Sequence, residues 1–430
     1  MGASFILLTS TKEQMNLKEK YTVNDFTLKS LKTDLKDRVN QFQKWMEQSK
    51  LNNHEIYWNE SLTCISPEMI LVGGPENNLQ NVISFISNDY LGMSQRDETK
   101  SASIEAIMKY GTGACAAPII GGYLDIHRDL EKKIADFTGQ EDALIFSSGF
   151  GVNVGVLNAL LGELDLALVD MCVHTSVYDG LKGTNTKKIK HNDPEYIEFI
   201  LQKEADKYKT KMVIIDGVYS HDGDVAYLRE IHEVCKKYGA LLYMDDAHGI
   251  GVFGETGKGI AEHYNMLGEV DIVTGTFSKS FGSVGGFVSC SKEIADYLRY
   301  FANTTVFSAA ITPASTASIQ AALQLIVDKP QIRKKLWDNV SYLKSKLIEN
   351  KFDIKNTNSP IFPIMVRDPF KAKEVTRLLK ERNIYAIAIV YPAVTDKDAR
   401  VRMSLTASHE FSQIDYLVNS LVEIRNIVYF

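Results

Sequence analysis

The stretch Thr274-Gly-Thr-Phe-Ser-Lys-Ser-Phe-Gly-Ser-Val-Gly-Gly286 places one lysine, Lys279, among glycines and serines after an apolar run. That run, residues 270–273, is typical of a buried parallel strand. No other charged residue lies between positions 272 and 290, so little in this stretch would keep an ammonium group hydrated or paired. We therefore expect a lowered pKa for Lys279, as an imine-forming lysine requires. A single lysine after a strand is usually a surface residue, so the rest of the sequence is needed to distinguish an imine-forming lysine from a surface one.

Composition limits the possible functions. The chain has 430 residues, enough for one large core and a smaller domain, and a net charge of −6. No block of Lys and Arg alternates with aromatic residues, so nucleic acid is not an expected partner. The five cysteines show no Cys-x-x-Cys spacing, which argues against a disulfide framework or a metal site and favours a reducing cytoplasm. No segment is long and apolar enough to predict a signal peptide or a membrane span.

The middle of the chain alternates between short apolar runs and helical patterns for about 150 residues after Gly139. This alternation predicts βαβ units, and hence an α/β fold whose large domain has a mostly parallel central sheet. Ligands bind beyond the carboxyl ends of the strands in such sheets. Predicted strands are residues 143–146, 166–169, 213–215, 241–244, 272–276 and 286–289, and predicted helices include 194–208 and 228–238.

The two ends of the chain follow other patterns. Residues 24–50 have an amphipathic helical period, a turn is predicted at residues 73–78, and a strand is predicted from Val82. After Pro330 the order helix, strand, helix, two strands and helix predicts a small α+β domain. We therefore divide the chain into an N-terminal helical segment (1–85), a large domain (86–330) and a small C-terminal domain (331–430).

A carboxylate follows the predicted strand before that of Lys279. Asp245 ends an apolar strand, 34 positions before Lys279. An ionised carboxylate there suits pyridoxal 5′-phosphate (PLP), because it keeps the pyridine nitrogen protonated. Two other patterns overlap this region. Asp245-Asp-Ala-His248 resembles the acidic box of a helicase, but a helicase also needs an upstream phosphate loop, which the chain lacks. The glycines at 249–254 match a dinucleotide-binding fingerprint, but a Gly-rich turn explains them better.

Three further strand ends carry polar residues. Phe146-Ser-Ser-Gly-Phe150 follows a strand and opens a helix, so its backbone N–H groups could hold a phosphate, although such a sequence is often only a helix cap. His174 follows another strand, where an imidazole could stack on a flat ring or simply be structural. Ser220 could contact the phenolic oxygen of the cofactor.

Taken together, these motifs resemble the α-oxoamine synthases, a family of fold-type I PLP-dependent enzymes. Its members include serine palmitoyltransferase, glycine C-acetyltransferase, 5-aminolevulinate synthase and 8-amino-7-oxononanoate synthase. The resemblance runs from about residue 80 to the C-terminus. It rests on Asn88-Asp-Tyr-Leu-Gly92, Tyr110-Gly-Thr-Gly113, Asp125-Ile-His127, Ser147-Ser-Gly-Phe150, His174, Asp216-Gly-Val-Tyr-Ser220, Asp245-Asp-Ala-His248, Thr276-Phe-Ser-Lys279, Phe307-Ser308 and Arg400-Val-Arg402.

The resemblance implies roles for individual residues. Lys279 would be the Schiff-base lysine, Asp245 the partner of the pyridine nitrogen, and His174 the residue that stacks on the ring and contacts the substrate. The phosphate would be held by Gly149, Phe150 and Thr276, with Ser308 from a second subunit of a homodimer. The phenolic oxygen would meet His248 and Ser220, and the amino acid's carboxylate would meet Asn88 and Arg402, with Thr406 nearby.

The implied reaction joins an amino acid to an acyl-CoA with loss of CO2, giving an α-aminoketone. The Phe307-Ser-Ala309 sequence favours a serine palmitoyltransferase-like activity. The alternatives are the glycine C-acetyltransferase or 8-amino-7-oxononanoate synthase activities, a plain aminotransferase, or a non-catalytic protein. The sequence differs from the family pattern at two places that would contact ligands. Residues 115–120 lack the arginine that many relatives carry after Gly-Thr-Gly, which concerns the acyl donor. Ala309 stands where relatives often carry a hydroxyl, which concerns the phosphate.

Overall fold

The computed structural model describes residue 26 and residues 32–51, 57–73, 78–391 and 393–430. Within these ranges the strands are β1 (Glu60–Ser61), β2 (Glu68–Gly73), β3 (Asn78–Ser84), β4 (Asp142–Phe146), β5 (Leu166–Asp170), β6 (Asn185–Ile189), β7 (Lys211–Asp216), β8 (Leu241–Asp245), β9 (Ile272–Thr276), β10 (Gly286–Cys290), β11 (Ile361–Met365), β12 (Ile384–Tyr385), β13 (Ile387–Ile389) and β14 (Arg400–Ser404). The α-helices are α1 (Leu35–Leu51), α2 (Asp97–Tyr110), α3 (Asp125–Thr138), α4 (Gly149–Leu160), α5 (Thr175–Gly180), α6 (Pro194–Glu204), α7 (Leu228–Tyr238), α8 (Ile260–His263), α9 (Lys292–Phe301), α10 (Asn303–Val306), α11 (Pro313–Asp328), α12 (Pro330–Glu349), α13 (Pro369–Glu381) and α14 (Phe411–Val428).

The large sheet contains seven strands in the order β4-β10-β9-β8-β7-β5-β6. Strands β6, β5, β7, β8 and β9 are parallel, which confirms the predicted α/β architecture. The residues of β5 and β9 are buried throughout, and helices α3, α4, α7 and α9 pack against the sheet. The apolar runs in the sequence therefore reflect strands that are covered by helices.

Strand β10 is an antiparallel strand in the mostly parallel sheet, and its direction is not predicted from the sequence. It is antiparallel to both of its neighbours, β9 and β4. Nine residues separate the end of β9 from the start of β10. A parallel neighbour needs a crossover of about a dozen residues or more, so this loop can only return the chain in the antiparallel direction. Lys279 lies in this short return.

The sequence analysis does not predict the edge strand β6. Its sequence, Asn-Thr-Lys-Lys-Ile, contains no apolar run, because only Ile189 is buried. Lysines on an edge strand oppose pairing with another chain, so the polar sequence suits the position. The pairing of β6 with β5 is therefore a tertiary feature that the local pattern does not reveal.

The N-terminal part of the chain is only partly helical. Helix α1 begins at Leu35, and not at residue 24 as predicted, because Asp34 Oδ1 accepts a hydrogen bond from the backbone N–H of Asp37 at 2.9 Å and caps it. Strands β1, β2 and β3 follow, and the strand predicted from Val82 overlaps β3. Residues 24, 25 and 27–31 of the predicted helix, and residues 74–77 of the predicted turn, lie outside the described residues.

The C-terminal part has the predicted order of helices and strands, except that three strands, β12, β13 and β14, and not two, lie between α13 and α14. β11, β14 and β13 form an antiparallel sheet, and β12 pairs in parallel with β3. The division of the chain at residues 85 and 330 stays a prediction, and the β3–β12 pairing crosses it. Over the described ranges, no helix combines the length and the apolar character needed to cross a membrane.

His409, just before α14, connects the two ends of the chain. Its Nε2 lies 3.0 Å from the carbonyl oxygen of Ser84, its Nδ1 accepts a hydrogen bond from the Thr406 N–H at 3.0 Å, and its ring stacks on Phe85 at 4.6 Å. Burial lowers the pKa of His409 to about 4. The neutral ring therefore donates through Nε2 and accepts through Nδ1.

This pKa makes stability depend on pH. In the unfolded chain a histidine binds a proton below about pH 6.5, whereas folded His409 resists protonation down to about pH 4. The wild type should therefore lose about 2 kcal/mol of unfolding free energy relative to His409→Gln between pH 6.5 and 5. Urea unfolding at a series of pH values measures this difference. A difference that stays constant across the range would contradict the assignment.

Candidate active site

Several polar residues meet where the central strands end. β7 ends at Asp216, β8 at Asp245 and β9 at Thr276. Asp216 and Asp245 are paired in register, and the N–H of Gly217 donates to the carbonyl of Asp245 at 2.8 Å. Because carboxyl ends of parallel strands share one edge, the structure places these groups in one cleft.

Lys279 lies three residues beyond the end of β9 and faces this cleft. Burial lowers the pKa of Lys279 to about 8, although the charges of Asp245 and Asp216 oppose the change. The Arg402 guanidinium acts in the same direction as burial. The expectation of a lowered pKa from the sequence is thus confirmed, but burial in the folded cleft, and not only the lack of charged neighbours in sequence, is the main cause.

The carboxylate of Asp245 is held on both oxygens. Its Oδ2 accepts a hydrogen bond from Asn153 Nδ2 at 2.7 Å, and its Oδ1 accepts one from the Ala247 N–H at 3.0 Å. Burial, followed by the charge of Asp245, raises the pKa of Asp216 well above its usual range. The protonated form of Asp216 is therefore favoured beside the carboxyl group of Asp245.

His174 caps the start of α5. Its Nδ1 lies 2.7 Å from Ser176 Oγ, and its ring meets that of Phe150 edge-to-face at 6.2 Å. Burial and the nearby Lys279 ammonium lower the pKa of His174, against the opposing charge of Asp245. The imidazole is therefore neutral and available for stacking and hydrogen bonding.

His248 is also buried and neutral. Its Nδ1 lies 2.7 Å from the hydroxyl of Tyr90, which is itself fully buried. Burial, with smaller effects from Lys279 and Arg402, lowers the pKa of His248 well below its usual range. Sequence reasoning assigned His248 to the site but gave Tyr90 no role, although Tyr90 belongs to the Asn88–Gly92 motif.

Arg402, on β14, brings the C-terminal part of the chain to the cleft. Its Nε donates to the Ser220 carbonyl at 2.7 Å, its Nη1 to Ser404 Oγ at 3.1 Å and its Nη2 to Asn88 Oδ1 at 3.1 Å. Only 8% of Arg402 is exposed. In the described part of the chain no carboxylate forms an ion pair with it. A buried cation without a counter-ion favours an anionic ligand.

Arg400, two residues earlier, has a different environment. Its guanidinium pairs with Asp222 and donates to the carbonyl of Asp398 through Nε at 2.7 Å. It is therefore neutralised within the chain. Thr406, also expected near the substrate, has its hydroxyl 3.0 Å from His409 Nδ1. Of the two arginines on β14, only Arg402 therefore carries a charge that no carboxylate of the described residues neutralises.

The start of α4 fits a phosphate group. Ser148 Oγ caps the helix by accepting from the Gly151 N–H at 3.0 Å. A Cβ on Gly149 would lie 2.8 Å from Thr276 Oγ1, so only glycine lets the helix start approach that hydroxyl so closely. Ser308 Oγ lies 3.5 Å from Ser147 Oγ of the same chain. Free N–H groups and hydroxyls around a glycine cradle fit the phosphate of PLP.

Comparisons with known proteins agree with this geometry. A family model described as "Aminotransferase class I and II" matches residues 80–421. The chain belongs to this family. It is 41% identical to an 8-amino-7-oxononanoate synthase of Thermoanaerobacter pseudethanolicus, over 78% of this chain and 86% of the relative. It is also 38% identical to a serine palmitoyltransferase of Sphingobacterium spiritivorum, over 80% of this chain and 87% of the relative.

Solved structures narrow the family further. Sphingomonas wittichii serine palmitoyltransferase superposes with a TM-score of 0.86 at 28% identity, over 92% of this chain and 99% of that one. A serine palmitoyltransferase structure that contains PLP superposes with a TM-score of 0.85, also at 28% identity and with the same coverage. The predicted membership of the α-oxoamine synthases, the fold-type I architecture and the use of PLP are confirmed. This α-oxoamine synthase is an enzyme that condenses an amino acid with an acyl thioester and releases CO2.

One polar cluster of this aminotransferase-family chain braces the loops around the site. His191 lies with Nδ1 3.0 Å from Asp170 Oδ1 and Nε2 2.8 Å from Asp224 Oδ2, and Tyr219 donates to Asp170 at 2.9 Å. Burial opposes a charge on His191, but hydrogen bonds to the two carboxylates outweigh it and raise its pKa to about 12. Asp170, Cys172 and His191 have the spacing of metal ligands. Both ring nitrogens of His191 are already engaged, so an internal ion pair explains the cluster.

The low pKa of Lys279 can be measured by chemical labelling. In protein freed of PLP, an amine-reactive reagent should modify Lys279 with a pH midpoint near 8. Replacing Asp245 by Asn should lower this midpoint, because the carboxylate stabilises the ammonium. Peptide mass spectrometry gives the rate at each pH. Lys292, whose pKa is raised by Asp296, is the internal control. A Lys279 midpoint as high as that of Lys292 would contradict burial of its amine.

Proposed function

We propose that this enzyme condenses L-serine with a long-chain acyl-CoA, as a serine palmitoyltransferase does, and releases CO2 and CoA. The observation that carries the proposal is Arg402, a buried cation without a counter-ion in the same cleft as Lys279 and Asp245. The carboxylate of an amino acid supplies the missing charge, and its α-carbon then lies within the same enclosed site.

Each residue has a separate task in this scheme. Bound PLP would withdraw electrons from the substrate's α-carbon. Lys279 removes and returns the proton at that carbon, and its pKa of about 8 suits both steps near neutral pH. Asp245 keeps the proton on the pyridine nitrogen, and His174 lies against the ring. Arg402 and Asn88 hold the substrate carboxylate, with Thr406 at the border of that site.

Other residues hold the cofactor itself. Gly149, Phe150 and Thr276 would hold the phosphate at the start of α4 and the end of β9, and Ser308 of a second subunit would add a hydroxyl. The phenolic oxygen is bound by His248 and Ser220. These roles rest on the positions of the residues around the cleft and on the family resemblance.

The acyl donor is proposed from the chemistry of residues 114–120. The name 8-amino-7-oxononanoate implies an acyl group that ends in a second carboxylate, and such a group needs a cation. Residues 114–120 contain none and are mostly apolar. The carbonyl of Ala116 accepts a hydrogen bond from the Ala310 N–H at 3.0 Å, which places this segment beside Ser308. An uncharged acyl chain suits these surroundings better.

We also propose a homodimer. Large apolar side chains are exposed close to Ser308: Phe307 is 84% exposed, Ile120 77% and Tyr300 69%. Exposed apolar patches of this kind are usually covered by another protein. A second copy of the chain would cover them and bring its own Ser308 close to the site. All five cysteines are free, which supports the proposed cytoplasmic location.

Product analysis tests the proposed reaction. The enzyme should be incubated with serine, alanine or glycine and with palmitoyl-CoA, acetyl-CoA or an ω-carboxy acyl-CoA. We expect free CoA thiol and one main product, whose mass equals that of serine plus palmitoyl-CoA minus CO2 and free CoA. The variant Lys279→Ala should give none, and borohydride should fix PLP to the wild type but not to this variant. A product from alanine and the ω-carboxy donor alone would favour 8-amino-7-oxononanoate synthesis. Amino transfer without thiol release would favour an aminotransferase.

Arg402 provides a second prediction. Arg402→Lys keeps the charge but loses the planar fork, so amino acid binding to the holoenzyme should weaken by about 1.5–3 kcal/mol. Arg402→Ala should weaken it further, and PLP binding should be unchanged in both. Amino acid titration followed by the absorbance of the cofactor measures the affinity.

Arg400→Lys is the matched control, because Arg400 lies on the same face of β14 but pairs with Asp222. It should change stability and leave amino acid affinity close to that of the wild type. Equal affinities in the wild type and both Arg402 variants would place the carboxylate site elsewhere.

A further inference from the structure

Asn153, in the second turn of α4, is a buried amide with four hydrogen-bond partners. Its Oδ1 lies 2.6 Å from the hydroxyl of Tyr243 and 3.2 Å from that of Thr274. Its Nδ2 lies 2.7 Å from Asp245 Oδ2 and 2.9 Å from Ser176 Oγ. Only 2% of the residue is exposed. The amide therefore uses its full capacity of two donated and two accepted hydrogen bonds.

The orientation of this amide follows from its neighbours. A carboxylate only accepts hydrogen bonds, so the NH2 group of Asn153 must face Asp245. The carbonyl then faces Tyr243 and Thr274, whose hydroxyls donate to it. Rotating the amide by half a turn would bring its oxygen against the carboxylate in a buried site, where repulsion is strong. The direction of every hydrogen bond around Asn153 is thereby fixed.

The direction of these hydrogen bonds also determines which ring nitrogen of His174 carries the proton. Ser176 Oγ accepts a hydrogen bond from Asn153 Nδ2, so the hydroxyl hydrogen of Ser176 is free to point at His174 Nδ1, 2.7 Å away. The backbone N–H of Ser176 also approaches this nitrogen, at 3.4 Å. Two donors directed at Nδ1 require it to be unprotonated. The neutral ring must then carry its proton on Nε2.

We propose that Asn153 is a positioning residue that orients Asp245 and, through Ser176, keeps the proton of His174 on Nε2. The proposal rests on the roles given to Asp245 and His174 in the proposed function. It explains how one buried amide can support both residues that contact the cofactor ring. With Nδ1 occupied, Nε2–H is the only donor of His174 and is available for an oxygen of the substrate.

The variant Asn153→Asp tests the relay with almost no change of shape. Its carboxyl oxygen would accept a hydrogen bond from the hydroxyl of Ser176. Ser176 Oγ could then only accept a hydrogen bond from His174. The proton of His174 should then move to Nδ1. Nitrogen-15 NMR of the holoenzyme labelled in histidine distinguishes the two ring forms, and the His174 signals are identified by their loss in His174→Gln.

Two further variants complete the comparison. Ser176→Ala removes the hydroxyl and should give a mixture of the two ring forms, with PLP affinity unchanged because Asp245 keeps its contact with Asn153. Asn158→Asp adds a carboxylate at an exposed position of the same helix and should leave the spectrum unchanged. Circular dichroism confirms folding, and if Asn153→Asp does not fold, Ser176→Ala alone still tests the relay.

The NMR result is independent of the substrates. If the proton of His174 lies on Nε2 in the wild type and on Nδ1 in Asn153→Asp, the relay is supported even if no acyl transfer is found. The two proposals can therefore fail separately. Where turnover is found, Asn153→Asp should reduce it about tenfold or more, the scale of one hydrogen bond to a charged group. A wild-type ring protonated on Nδ1, or the same ring form in the wild type, Asn153→Asp and Ser176→Ala, would overturn the proposal.

Discussion

The carboxylate of Asp245 lies among buried cations at the end of a parallel sheet, and the charge of the site is organised around it. Lys279 is half-buried and Arg402 is buried, and their loss of hydration disfavours the charged form of each and lowers its pKa. The charge of Asp245 is the largest effect that opposes this loss for Lys279. Burial, followed by the charge of Asp245, raises the pKa of Asp216 beside it and favours its protonated form. His174 and His248 are neutral because burial and the nearby cations both disfavour a further positive charge.

The fold surrounds this concentration of charge with buried strands. The residues of β5, β9 and β10 are buried throughout, and the charged groups of the cleft lie at or beyond the ends of strands β7, β8 and β9. Helix α4 starts at the phosphate cradle and one turn later presents Asn153 to the cleft. The C-terminal part of the chain adds Arg402 on a strand of another sheet. The cleft is therefore formed by residues from both sheets.

The sequence predicts those parts of the molecule that depend on local patterns. Buried parallel strands are continuous apolar runs, and chemistry at their ends is visible as Asp245 and Lys279. The orientation of β10 depends on the length of a loop, and β6 has a polar sequence because it lies at an edge. The partners of Asn153 come from helices and strands that are distant in sequence, so no local pattern reveals them. One signal was present: Asn153 interrupts an apolar helix on the side that faces the core. Tyr90 could likewise have been suspected from its motif, but its contact with His248 spans 158 positions.

The contact between Asn88 and Arg402 joins positions that are 314 residues apart. During synthesis, the ribosome completes the cofactor-binding strands and the lysine loop well before it adds β14. The strands that carry Asp216, Asp245 and Thr276 are therefore synthesised before the partner of Asn88 exists. Until β14 is made, the side chain of Asn88 has no Arg402 to contact, so the order of translation makes this contact one of the last in the cleft that can form.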